Sequence, residues 1–104
     1  MNTDSSVTLV SVPGPTGLEF GQVIRALKTG KKATRAGWNG KGMFIFLVKG
    51  STFLVSRPPL MGIYPMGTSI NYQAHIDMKA VDGTIVPWVA SQTDILAEDW
   101  SLVE

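Results

Sequence analysis

Two tryptophans far apart in the chain, each beside polar residues, are the side chains best suited to holding a ligand. The first lies in Gly37-Trp38-Asn39-Gly40-Lys41-Gly42, a glycine-dense run with Arg35 just before it. Glycines let backbone approach a ligand closely, and successive N–H groups in such a turn can form an anion-binding concavity. The spacing is not that of a Walker loop or a dinucleotide fingerprint, and no Ser or Thr follows the lysine. A tight hairpin turn accounts for Asn39 and Gly40 but not for Trp38, which is costly to leave wet and should lie against something. The second, Trp88, follows Pro87 and precedes Ser91-Gln92-Thr93-Asp94. An indole can stack on a purine face for about 1–3 kcal/mol. A polar helix start offers N–H groups to an anion and side chains to ribose hydroxyls. For both Trp38 and Trp88 a place in the core is an equal alternative, whereas Trp100, beside Leu102, reads as a core anchor.

Turnover has less to work with. The single histidine, His75, shares a strand face with Asp77, which could orient its imidazole. A lone His–Asp pair is more often structural, and no serine sits in a nucleophile elbow. One histidine, scattered acids and no cysteine give no ligand set with metal spacing and no thiol nucleophile. The residue types therefore favour binding over catalysis, with no cofactor.

Charge is unevenly placed. Arg25, Lys28, Lys31, Lys32, Arg35, Lys41, Lys49 and Arg57 fall in a window without Asp or Glu, while Asp77 to Glu104 carries six acids against Lys79. Either the first half meets an anionic partner or the two halves face each other and cancel. Apolar residues interrupt the basic ones too often for a nucleic-acid tail, and no groove-reading helix motif is present, so no DNA or RNA partner is expected. Met1 to Val12 lacks the features of a signal peptide, and the longest apolar run, Met43 to Val48, is too short to span a bilayer.

The elements that must position these residues are short. Phe20 to Thr29 is expected as a helix, with Phe20, Val23, Ile24 and Leu27 on one side and Gly30 as its stop. Lys32–Trp38 and Lys41–Val48 read as a hairpin around Asn39-Gly40. Met43–Val48 is apolar on both faces, which implies a central strand or a subunit interface. Gly50–Val55 is a further strand, and Arg57–Ala74 a long irregular loop rich in aromatic and Met side chains. His75–Ala80 and Thr84–Trp88 form a second hairpin at Asp82-Gly83. Ser91–Ala97 is a helix with a capping arrangement of Ser91 and Asp94, and Asp99–Val103 is a last strand. The sum is a small α+β domain, an antiparallel sheet with two short helices, over residues 20–104. Residues 1–19 read as an extended, partly ordered lead-in in which Val7, Leu9 and Val12 could form an edge strand.

Taken together, Arg35-Ala36-Gly37-Trp38-Asn39-Gly40-Lys41-Gly42-Met43, Arg57-Pro58-Pro59-Leu60 and the run Pro87-Trp88-Val89-Ala90-Ser91-Gln92-Thr93-Asp94 through Asp99-Trp100 resemble one family. It is the second class of phage anti-Thoeris nucleotide sponges, and the likeness runs from about Phe20 to Glu104. The resemblance implies a protein that acts in the host bacterial cytoplasm. It would bind cyclic ADP-ribose-type signals made by the TIR proteins of Thoeris defence and hold them uncleaved. It implies homo-oligomers, typically tetramers, with pockets built between protomers, and in some members a separate site for cyclic oligonucleotides. Carried onto this chain, Trp38 and Asn39 would line the pocket, Trp38 stacking on adenine. Trp88, Ser91, Thr93 and Asp94 would supply a second stack and bonds to ribose and base. Arg57 would meet phosphate, with Arg35, Lys41 and Tyr72 as further candidates. Two other readings remain: an enzyme opening the cyclic nucleotide with His75 and Asp77, and a phage structural or scaffolding module whose tryptophans build subunit contacts.

Overall fold

Apolar residues at helical spacing and a glycine stop give the first element. In the computed structural model, which describes residues 15–38 and 41–103, helix α1 spans Phe20–Leu27 and buries Val23 and Leu27. The Glu19 N–H donates to Gln22 Oε1 at 2.9 Å, satisfying one of the free donors at the helix start. The helix ends two residues earlier than its periodicity suggests. Thr29 and Gly30 donate to the carbonyls of Ala26 and Leu27, tightening the last turn, and Gly30 takes a φ of 92°. The expected edge strand over residues 7–12 lies outside the described residues, as do Asn39 and Gly40.

Strands β1 (Lys32–Arg35), β2 (Phe44–Val48), β5 (His75–Lys79), β6 (Ile85–Pro87) and β7 (Trp100–Val103) form one antiparallel sheet in the order β6-β5-β2-β1-β7. Before Trp100, Leu18 bridges to β7, and the Leu102 N–H donates to Pro15 O, so residues 15–18 run along that edge. The β1–β2 hairpin is shorter than expected. Its ladder ends near Arg35 and Phe44, and Ala36 and Gly37 form a turn whose Ala36 N–H donates to Asp99 O. The second hairpin stands as the sequence implies. Gly83 has a φ of 91°, and Asp82 Oδ1 accepts from the Thr84 N–H and hydroxyl.

Strand β2 is central, between β1 and β5. Its alternation puts Ile45 and Leu47 on the α1 side with Ala33, Met78 and Ile76, and Phe44, Phe46 and Val48 on the other. On that other face Lys32 Nζ and Lys79 Nζ lie 5.0 and 5.7 Å from the Phe44 ring centroid. The core is Val23, Leu27, Ala33, Ile45 and Trp100. Helix α2, Gln92–Leu96, packs at one end of this layer, next to α1.

The expected long loop needs correction. Residues 57–74 contain strand β4, Ser69–Tyr72, which pairs with β3, Ser51–Leu54, and a single 3-10 turn at Leu60–Gly62. β3 and β4 form a two-stranded arm apart from the main sheet. At its base the chains approach so closely that a Cβ on Gly50 would lie 2.8 Å from Tyr72 O. Ile70 and Tyr72 alternate with Ser69 and Asn71, but a run of four residues within a Pro- and Gly-rich stretch is too short to be read as a strand before its partner is known.

Candidate functional site

Four chain segments converge at one corner: the turn after β1, the end of β6, the start of α2 and the start of β7. Ser91 and Asp94, three apart, cap α2 reciprocally. The Asp94 N–H donates to Ser91 Oγ and the Ser91 N–H to Asp94 Oδ2, both at 3.0 Å. Asp94 is only 7% exposed, the most deeply buried charged residue among those described. Its Oδ1 accepts from Arg35 Nη1 at 2.9 Å and from the Trp38 indole N–H at 3.2 Å. Arg35 also donates through Nε to Asp99 Oδ1 at 2.8 Å. Asp99 Oδ2 accepts the Gly37 N–H at 2.8 Å.

These contacts decide the charge states. Burial pushes the Asp94 carboxyl up, but the Ser91 N–H, Arg35, the Ser91 hydroxyl and the Trp38 indole together outweigh it and hold it below the ordinary carboxylate value. Arg35 is the main cause holding Asp99 low, against a smaller effect of burial. A carboxylate whose folded value is depressed contributes stability above its unfolded value, and that contribution is lost as pH falls through the folded value. Urea midpoints are therefore expected to stay level between neutrality and about pH 5 and to fall below about pH 4. The decline should be shallower in Asp99→Asn. A midpoint that rises on acidification would contradict this account.

Above the ion pairs lies an aromatic cluster. Trp38 stands edge-on to Trp100 at 5.2 Å between centroids and to Trp88 at 6.4 Å, and Phe20 packs on Trp88 and Trp100. Trp100 is fully buried and donates its indole N–H to Asp94 O at 2.9 Å. Trp38 and Trp88 are half-buried. Their planes meet at 66°, so within one chain they cannot sandwich a flat base between parallel faces. One ring can offer its face while the other offers an edge.

Trp38, Trp88, Ser91, Asp94 and Arg35 thus come together, with Thr93 exposed on the first turn of α2. Arg35 and Asp94 are engaged with each other inside the fold. Lys41 is exposed in the turn preceding β2. Arg57 and Tyr72 lie elsewhere, lining a cavity of about 870 Å³ on the arm with Phe53, Leu54, Val55 and Leu60. His75 and Asp77, 3.5 Å apart, sit on the sheet face opposite Ile45 and away from the corner. Asp99 and Phe20 are corner members that the sequence reading did not name as site residues, and Trp100, read as a core anchor, is buried there. The signal for Asp99 was the acid-free basic window, whose Arg35 pairs across the chain with two acids of the opposite half.

The family model for a Thoeris anti-defense 2-like domain matches residues 18–103. A curated protein named Thoeris anti-defense 2, from Bacillus phage SP01, is 44% identical over 91 residues, which is 85% of this chain and 97% of that protein. The matched stretch takes in every element described above, the corner and the arm included.

Proposed function

This chain belongs to the Thoeris anti-defense 2-like family, and from that premise we propose that it blocks bacterial Thoeris defence by binding a cyclic ADP-ribose-type signal and holding it uncleaved. The observation that carries this reading is the corner itself. Two half-buried indoles stand 6.4 Å apart near the α2 start that carries the exposed Ser91 and Thr93, and Trp38 is held by its N–H on Asp94 in a base of paired charges. Trp38 supplies the stacking face for adenine, Trp88 an edge, and Ser91 and Thr93 hydroxyls meet ribose. Asn39, the next residue in the sequence, is assigned to the same pocket.

The phosphate contact, Arg57, lies on the arm and not at the corner. An assembly of identical chains, a tetramer in the family pattern, would bring one protomer's arm to another's corner. Large apolar side chains left in water favour such burial: Ile63 is 68% exposed and Met66 72% exposed on the arm, and Val89 is 88% exposed beside Trp88. The face of β2 that carries Phe44 and Phe46 is a second candidate interface. The site of action is the host cell interior. Among the described residues no helix is long and apolar enough to cross a membrane.

The test is recovery. The protein is loaded with a cyclic ADP-ribose-type nucleotide, freed of unbound ligand, heated, and its supernatant read by mass spectrometry. The intact nucleotide is expected in stoichiometric amount. A ring-opened product would replace sequestration with catalysis, and Trp38→Ala that breaks assembly while sparing binding would favour a scaffolding role.

A further inference from the structure

Among the described residues after β1, Ala36, Gly37 and Trp38 are tied through backbone and side chain to one chain of charged groups. At the backbone end, Asp99 Oδ2 accepts the Gly37 N–H at 2.8 Å and Asp99 O accepts the Ala36 N–H at 3.2 Å. At the side-chain end, the Trp38 indole donates to Asp94 Oδ1, the same oxygen that Arg35 Nη1 reaches at 2.9 Å. Arg35 closes the circuit, because its Nε donates to Asp99 Oδ1 at 2.8 Å. The guanidinium is planar and rigid, so the two carboxylates cannot move independently. Space is tight as well. A Cβ on Gly37 would lie 2.9 Å from Arg35 Nη2 and 3.0 Å from Asp99 Oδ2.

We propose that Asp99 is the positioning residue of this site: through Gly37 and Arg35 it sets the angle at which the Trp38 indole meets the ligand, an inference that rests on the reading that Trp38 is a ligand contact. The Asp99 carboxylate holds Arg35 through both oxygens, at 2.8 and 3.4 Å, and the turn through Oδ2, which makes the indole a pre-oriented platform, and pre-orientation adds affinity by removing an ordering cost from binding.

The experiment uses the full chain with Asp99→Asn, Asp99→Glu and Gly37→Ala, each in the Trp38 and the Trp38→Ala background. Indole N–H resonances are recorded without ligand, the Trp38 signal being identified by its loss in Trp38→Phe. Affinity for cyclic ADP-ribose is measured by calorimetry. Asp99→Asn and Gly37→Ala are both expected to shift the Trp38 indole resonance and to weaken binding about tenfold, with Asp99→Glu recovering part of the loss. In the Trp38→Ala background Asp99→Asn should add no further loss. Equal losses in both backgrounds, or wild-type affinity in Asp99→Asn and Gly37→Ala, would overturn the assignment. Gly37→Ala changes no charge, so it carries the comparison if Asp99→Asn does not fold. A wild-type chain that binds no cyclic ADP-ribose would sink the sponge reading and this role together, whereas unchanged affinity in the variants would sink this role alone.

Discussion

Arg35→Ala is expected to lower the folding free energy by about 2–4 kcal/mol, between the cost of losing an exposed ion pair and that of breaking a fully buried one. Arg35 joins Asp94 at 2.9 Å and Asp99 at 2.8 Å, and its side chain is only 11% exposed. Truncation leaves Asp94 as a buried carboxylate stripped of its cation, and it removes the link between Asp94 and Asp99 while the turn keeps its own bonds to both. A chain of this size has about 5–15 kcal/mol in total, so the loss leaves a marginal protein. Urea unfolding followed by circular dichroism should show a large fall in midpoint. Arg35→Lys should fall between, because a point charge on a flexible stem replaces a fork that serves two carboxylates. If Arg35 acted chiefly as a phosphate contact, Arg35→Ala would keep the midpoint and lose only ligand.

Trp38→Ala is expected to weaken binding of a cyclic ADP-ribose-type nucleotide by about a hundredfold, near the upper end of the 1–3 kcal/mol found for a lost base stack. The ring is a firm platform, held edge-on to Trp100 and by its N–H on Asp94. Trp38→Phe keeps an aromatic face and should lose about tenfold or less, the cost of one hydrogen bond and a smaller stack. Trp88→Ala should cost less than Trp38→Ala, since at 66° only one of the two planes can lie parallel to a base. Calorimetry gives the affinities, and elution volume shows whether the assembly survives. A binding role requires assembly kept and affinity lost. If Trp38→Ala elutes as a monomer with its intrinsic affinity intact, the indole is an interface residue and the proposed site is misplaced.

How much of this was legible depends on the distance over which each feature is decided. The α1 stripe, the Asp82-Gly83 hairpin and the Ser91–Asp94 cap are set by residues within a few positions of one another, and all three stand in the structure. The α+β class follows from the same local periods. Trp100 as a core anchor also held, because a large indole between apolar neighbours has few other places to go. Strand β4 was hidden. Ser69–Tyr72 becomes a strand through pairing with β3, and a run of four residues leaves too short a hydrophobic period to read.

The corner divides the same way. Its amino acids could be named from the chain alone, since a tryptophan in a glycine-rich cationic turn and another before a helix cap each need a partner. Which groups they meet could not. Arg35 finds Asp99 and Asp94 across 64 and 59 residues, and Trp38 finds Asp94 across 56. Six acids in the second half were equally eligible in charge, and only the pairing of β1 with β7 and the seating of α2 beside them singles out two. Folding likewise put Arg57 and Tyr72 on an arm apart from the indoles, because β3 pairs with β4 and not with the main sheet. Short-range chemistry thus specified the parts and their local shapes. Long-range pairing, where the energy of a contact depends on what the rest of the chain has already brought near, assigned their partners.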